Sequence, residues 1–236
     1  MPLPGIGEGF FALTRNTLTS AFMALPIILI TITAFFSTTT ANPGMMILLL
    51  GQIIAIPIVQ TVLGFLRGLS FVRYYLNLGP PQNYENNKLC SLSPVDVKDD
   101  QIMPPVSYWL AHVIFFGSYV GSNAMSIYTN DPEVKSPDPI KVENRKTQAM
   151  TAFVVTLAFI LFAISQHYLH TGCDTFGSLV LGLVLYIPLG YGFFELAKVC
   201  GLRTADLFGI ATKLYLPSPG DTNNFPYACV NIQPRQ

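Results

Sequence analysis

The run VSYWLAHVIFFGSYVGSNAMSI, residues 106–127, decides the fold class, because it is apolar along its length and contains no Asp, Glu, Lys or Arg. A helix of this length, rising about 1.5 Å per residue, can cross a hydrocarbon core of about 30 Å. Tyr108 and Trp109 stand at one end and Tyr128 just beyond the other, and aromatic rings of this kind settle at membrane interfaces. The run therefore predicts a transmembrane helix.

The composition of the whole chain agrees with this prediction. Hydrophobic residues make up 51% of the chain and charged residues 11%, whereas about 25% of the residues in a soluble domain are charged. The 13 basic and 13 acidic residues cancel, and no basic run indicates nucleic-acid binding. The first 16 residues lack the basic start of a signal peptide, so we expect the first apolar segment to stay in the mature protein. The lipid bilayer is the expected surrounding of the chain.

Four further apolar segments of spanning length predict an all-α, polytopic membrane bundle of about five transmembrane helices. The predicted spans are residues 17–36, 45–66, 106–127, 147–166 and 175–196. Residues 1–16 are predicted to be an interfacial segment, residues 17–197 the bundle, and residues 198–236 an extended polar arm. The third span lies between the two longest inter-span loops, so we expect it at the centre of the bundle.

Small residues four positions apart indicate where helices approach one another closely, because such residues share one helix face. The predicted packing pairs are Gly64 with Gly68, Gly117 with Gly121, and Ser178 with Gly182.

Few polar side chains lie inside the predicted spans. They are His112, Asn123, Gln52 and Gln60, which we expect to form hydrogen bonds between helices; an intramembrane pathway is the alternative. Pro26 removes a backbone donor and predicts a kink in the first span, and Pro57 lies inside the second span.

Five spans place the chain ends on opposite sides of the membrane. The side that carries residues 128–146 and the C-terminal arm, here called side B, has more Lys and Arg than the opposite side A, so the positive-inside rule favours side B as cytosolic. Cys90 and Cys173 share side A, and we hypothesise a disulfide between them, with free thiols as the alternative. No cysteine pair has CxxC spacing, so neither zinc nor another cofactor is expected. Glu195 and Lys198 are spaced to form an ion pair.

The best enzymatic candidate is SQHYLHTGCDTFGSLVLG, residues 165–182, which resembles the third motif of membrane lipid phosphatases. That motif has an Arg where this chain has Gln166, and a neutral amide cannot neutralise a phosphoryl group as Arg does. We therefore predict no catalytic residue and interpret His167 and His170 as side chains at the membrane interface. The chain is not expected to be an enzyme.

Several phrases resemble a family of uncharacterised membrane proteins of large icosahedral DNA viruses of algae. They are ANPGMMILLLGQIIAIP (41–57), YENNKLCSLSP (84–94), YWLAHVIFFGSYVGSNAMSIYT (108–129), KVENRKTQAM (141–150) and HTGCDTFG (170–177). The resemblance implies a virion protein of the membrane beneath the capsid, derived from host endoplasmic reticulum, with minor capsid proteins as partners. It assigns no functional residue. If it holds, side B faces the capsid, and Phe225 and Tyr227 of the arm are the expected docking anchors.

Two other roles fit the same sequence. The first is an accessory structural subunit of a large organelle membrane complex; the second is a small transporter or a lipid phosphatase-like enzyme.

Overall fold

The computed structural model of the chain describes residues 24–40, 42–68, 104–129, 139–171, 174–200 and 207. These residues form five helices and no strand. Helix α1 covers Leu25–Thr40. Helix α2 covers residues 43–68 in three parts, which are α-helical Pro43–Leu50, π-helical Gly51–Ala55 and α-helical Ile56–Gly68. Helices α3, α4 and α5 cover Tyr108–Thr129, Pro139–Thr171 and Phe176–Val199.

The fold is an all-α bundle, as predicted, and three of its helices are long and apolar enough to cross a membrane. These are Pro43–Leu66, Glu143–Leu169 and Phe176–Val199, and Leu25–Thr39 is a shorter apolar helix. Large hydrophobic side chains point outward from them, such as Phe65 on α2 and Val184 on α5. Hydrocarbon solvates such side chains and water does not. Both features are compatible with membrane integration.

Helix α3 lies at the centre of the bundle and contacts each of the other four helices. Its first eight residues are all buried. The first half of α3 is therefore shielded from lipid by the other helices. The expectation that this segment is central is confirmed.

The directions of the helices follow from which residues meet across α3. Helix α4 runs antiparallel to α3, since Trp109 stacks on His167 and Gly117 meets Ile160 farther along. Helix α5 runs parallel to α3: Leu110 meets Gly182, Ser118 bonds the Ile187 carbonyl, and Tyr119 contacts Phe194. Helix α2 runs antiparallel to α3, because its early Gly44 accepts a hydrogen bond from Tyr119. The starts of α3 and α5 and the end of α4 therefore lie together on side A.

The π turn of α2 keeps one face of this helix against the bundle. Every fourth residue from Gly44 to Gly64 is buried. In an uninterrupted α helix, each fourth residue lies about 40° farther around the helix axis, so Gly64 would point about 200° away from the direction of Gly44. A π turn contains one residue more than an α turn, so the residues after it are rotated back around the helix axis by about 100°. This brings the two ends of the row closer to the same face of α2. The π turn also precedes Pro57, which has no N–H for an i−4 hydrogen bond.

The structure differs from the sequence predictions at the starts of three helices. Helix α4 begins at Pro139, eight residues before the predicted start of the fourth span at residue 147. Pro26 lies in the first turn of α1, one residue after the helix begins at Leu25, so no kink arises there within the described residues. Helix α3 begins at Tyr108, two residues after the predicted start. Tyr108 and Trp109 are buried rather than placed at a membrane interface. They face inward because α4 and α5 cover the start of α3.

Candidate functional site

A buried polar cluster lies on side A, where α3 and α5 begin and α4 ends; we call it the Asp174 cluster. The Ser107 backbone N–H donates to Asp174 Oδ1 at 3.0 Å, and the Ser107 hydroxyl donates to Asp174 Oδ2 at 2.5 Å. His167 Nε2 lies 3.2 Å from the same Oδ2. The imidazole stacks on the Trp109 indole with ring centroids 4.0 Å apart. All four side chains are buried.

Local structure explains why these groups meet. Ser107 immediately precedes α3, and its Oγ accepts a hydrogen bond from the Leu110 N–H at 3.1 Å, as an N-cap does. Asp174 immediately precedes Thr175, whose side chain caps α5. Its carboxylate accepts from the Ser107 N–H and hydroxyl at the start of α3, where negative charge is also favoured by the helix dipole. One carboxylate thereby joins the ends of three helices.

The order of the hydrogen bonds limits what the cluster can do chemically. In a nucleophilic triad the His stands between the hydroxyl and the carboxylate and removes the proton of the hydroxyl. Here Asp174 stands in the middle, and both Ser107 and His167 bond to it. The Ser107 oxygen is also occupied as a helix cap and is buried. This arrangement is suited to holding helices together.

The Asp174 cluster corrects the interpretation of His167 as an interfacial side chain. His167 is 6% exposed, because it lies between Trp109 and Asp174. Sequence reasoning singled out the stretch 165–182 but expected no buried partner for its first histidine. Two features of the sequence could have indicated this partner: Ser107 lies at the start of the third span, and Asp174 lies just before the fifth. The side chain of His170 lies outside the described residues.

The predicted packing residues are buried or half-buried where the structure describes them. A side chain at Gly117 would meet Ile160, one at Gly121 would meet Phe153, and one at Gly182 would meet Ile114 and Leu110. Gly64 and Ser178 are buried, whereas the burial of Gly68 lies outside the described residues. The neighbours at Gly117, Gly121 and Gly182 are side chains, so these glycines accommodate bulky residues of adjacent helices.

Gly190 of α5 does not belong to a predicted packing pair, but it lies close to the backbone of another helix. A Cβ atom there would lie 2.7 Å from the Phe115 carbonyl oxygen and 2.8 Å from Ser118 Cβ. The Ser118 hydroxyl donates to the Ile187 carbonyl at 2.7 Å, three residues earlier on α5. Helices α3 and α5 are therefore in close contact at this level, and only glycine fits.

The four intramembrane polar residues are buried, and they differ in their bonding. His112 Nδ1 lies 2.7 Å from the Tyr108 carbonyl of its own helix, and its ring also lies against the Gln52 backbone on α2. The side chains of Gln52, Gln60 and Asn123 have no hydrogen-bond partner among the described residues. Among the described residues these three amides complete no hydrogen bond between helices, although the Gln60 side chain lies beside the Tyr186 hydroxyl.

A groove of about 690 Å³ lies between α3, α4 and α5. Its α3 wall carries small side chains, including Gly117, Gly121 and Ser122, and the other two walls are largely apolar. Glu195 and Lys198 line it as well; their 3.0 Å ion pair confirms the predicted pairing.

The remaining predicted positions lie outside the described residues. They are Cys90 and Cys173 of the hypothesised disulfide and Phe225 and Tyr227 of the C-terminal arm. Cys200, which follows α5, is an exposed free thiol. Within the described ranges, no group of three or more His, Cys, Asp or Glu side chains could hold a metal ion.

Comparison with protein-family models, with curated proteins and with solved structures finds no match to this chain.

Proposed function

We propose that this chain is a structural membrane protein of a virion, whose helix bundle lies in the internal membrane and links it to the capsid shell. The phrases of sequence quoted above support the viral assignment. The geometry of the bundle supports the structural role, because the Asp174 cluster is used to join helices. In this proposal the protein is not an enzyme.

The observation that carries the structural role is the position of Asp174. Its carboxylate bonds Ser107 before α3 and His167 near the end of α4, while its backbone leads directly into α5. A nucleophile must be reachable by its substrate, and Ser107 is buried. A fixed bundle end of this kind suits a protein that must hold its shape while other proteins assemble on it.

The partners in this proposal are minor capsid proteins that bind on side B. A virion membrane taken from the host endoplasmic reticulum keeps its cytosolic face toward the shell, and the charge distribution favours side B for that face. Helix α5 ends at Val199 on this side, and the residues after it make up most of the predicted polar arm. An extended arm can bind a partner surface through main-chain hydrogen bonds, with aromatic side chains as anchors.

Deletion of residues 216–236 tests the link to the capsid. We expect the truncated protein to enter membranes normally, because all five helices remain, and to be lost from assembled particles. Membrane insertion is measured by resistance to alkaline extraction, and incorporation by immunoblotting of purified particles. A full-length variant with Phe225→Ala and Tyr227→Ala tests separately whether these two side chains are the anchors of the arm. Normal incorporation of the truncated protein would refute the proposed link.

A role as accessory subunit of an organelle membrane complex is the second candidate, and the groove between α3, α4 and α5 favours it. A neighbouring subunit could cover such a half-open groove. Affinity purification from the native membrane in mild detergent distinguishes the candidates: capsid proteins support the viral role, and respiratory or photosynthetic subunits support the accessory role.

A further inference from the structure

The groove between α3, α4 and α5 begins inside the bundle and reaches its side B end. On α3 the lining extends from Ile114 to Thr129, the last residue of that helix, over about 22 Å at about 1.5 Å of rise per residue. On α5 it extends over a similar distance, from Leu183 to Lys198. Toward side A the groove stops, because residues 108–113 of α3 are buried by the other helices.

The length of the groove matches one leaflet of a bilayer. A bilayer is about 40–45 Å thick with its headgroup regions, so one leaflet takes up about 20–22 Å. A transmembrane helix of a partner crosses the whole hydrocarbon core of about 30 Å, and toward side A it would find α3 already covered. A lipid of the side B leaflet, in contrast, needs a groove of this length only.

The charged groups of the groove lie at its side B end, whereas its deeper walls are largely apolar. Lys198 Nζ lies 3.0 Å from both carboxylate oxygens of Glu195 and 5.5 Å from the centre of the Phe194 ring. Both charged side chains are 37% exposed, so a ligand can reach them. This end of the groove therefore presents one positive and one negative charge side by side.

We propose that the groove binds one phospholipid of the side B leaflet whose headgroup carries a phosphate and a primary ammonium, as in phosphatidylethanolamine. One acyl chain lies along α3, where Gly121 and Ser122 leave room for it. Lysine has three N–H donors, and the two bonds of Lys198 to Glu195 leave the third for a phosphate oxygen. The Glu195 carboxylate accepts a hydrogen bond from the lipid ammonium.

Photo-crosslinking identifies the occupant of the groove. The full chain is placed in nanodiscs of phosphatidylcholine with a small fraction of phosphatidylethanolamine whose acyl chain carries a diazirine, and mass spectrometry locates the adducts. We expect severalfold more adducts near Ser122 than near Val184, which is 63% exposed and lies outside the groove. Equal labelling would indicate bulk lipid, and an unlabelled groove would indicate another occupant, such as a helix of a second copy; either result would overturn the proposal.

Two phenylalanine variants provide a matched comparison. Ser122→Phe fills the groove and should remove the adducts near Leu157 on its α4 wall, whereas Val184→Phe adds the same ring outside the groove and should leave them unchanged. Persistence of these adducts in a Ser122→Phe protein that keeps its helical circular dichroism would contradict a bound acyl chain.

Competition with unlabelled lipids tests the headgroup contacts. Phosphatidylethanolamine should reduce groove labelling severalfold more than phosphatidylglycerol, because the net negative charge of the latter is repelled by Glu195. In Glu195→Gln the positive charge of Lys198 remains alone at this end of the groove, so phosphatidylglycerol should become the better competitor. Equal competition in the unaltered protein, or the same preference in Glu195→Gln, would overturn the recognition of the headgroup by this ion pair.

Discussion

Replacing Gly190 by alanine should destabilise the bundle, whereas the same replacement at Gly192 should not. Both glycines lie in α5, two residues apart. A methyl group at Gly190 would meet the Phe115 carbonyl oxygen at 2.7 Å, while at Gly192 nothing lies within 4 Å. Comparison of the Gly190→Ala and Gly192→Ala variants therefore separates the steric clash with α3 from the effect of a methyl group on the helix itself.

The expected magnitude follows from two opposing contributions. Replacing glycine by alanine inside a helix stabilises it by about 0.5–1 kcal/mol, and this gain applies at both positions. Overpacking a tight contact costs about 1–3 kcal/mol, and this cost applies only at Gly190. Helix α3 cannot move away freely, because the Ser118 hydroxyl bonds the Ile187 carbonyl at the same level. The two variants should therefore differ in the free energy of unfolding by about 1–3 kcal/mol.

Unfolding of both variants by increasing SDS in mixed micelles, followed by circular dichroism, measures this difference. The Gly192→Ala protein should unfold at the same SDS fraction as the parent or slightly higher, and the Gly190→Ala protein at a lower one. Identical midpoints for the two variants would show that α3 and α5 do not approach as closely as described.

Two further substitutions test the described hydrogen bonds by the same unfolding measurement. Asp174→Ala should cost about 3 kcal/mol, because it leaves buried donors of Ser107 and His167 without an acceptor; Asp174→Asn, which keeps one acceptor oxygen, should cost less, and an equal loss for both would contradict this account. Tyr119→Phe should cost about 1 kcal/mol, since it removes the bond to the Gly44 carbonyl and keeps the ring in place; no change in midpoint would count against that bond.

The fold class could be predicted from the sequence because it depends on long apolar runs. Segments of spanning length specify helices in a medium without water, whatever their neighbours are. The Glu195–Lys198 pair was predictable for a similar reason, since helical spacing alone brings the two side chains together.

The contacts between helices could not be predicted in this way. Ser107 and Asp174 are 67 residues apart in the sequence, so their hydrogen bond leaves no local pattern. Trp109 resembled an interfacial aromatic residue because composition does not tell which side of a helix faces lipid. Gly190 was missed because spacing rules detect pairs of small residues, and its tight contact is with the backbone of another helix. The burial of a side chain is thus set by the neighbouring helices.

The length of α4 has a consequence for anything that approaches the membrane. Ala149 of α4 packs beside Ile127, near the end of α3, and α4 begins ten residues before it, at Pro139. At about 1.5 Å per residue, this first part of α4 reaches about 15 Å past the level of Ile127 on side B. Helix α3 ends at Thr129, so most of this first part of α4 lies beyond the end of α3, and a partner that approached the bundle from this side would reach α4 before α3.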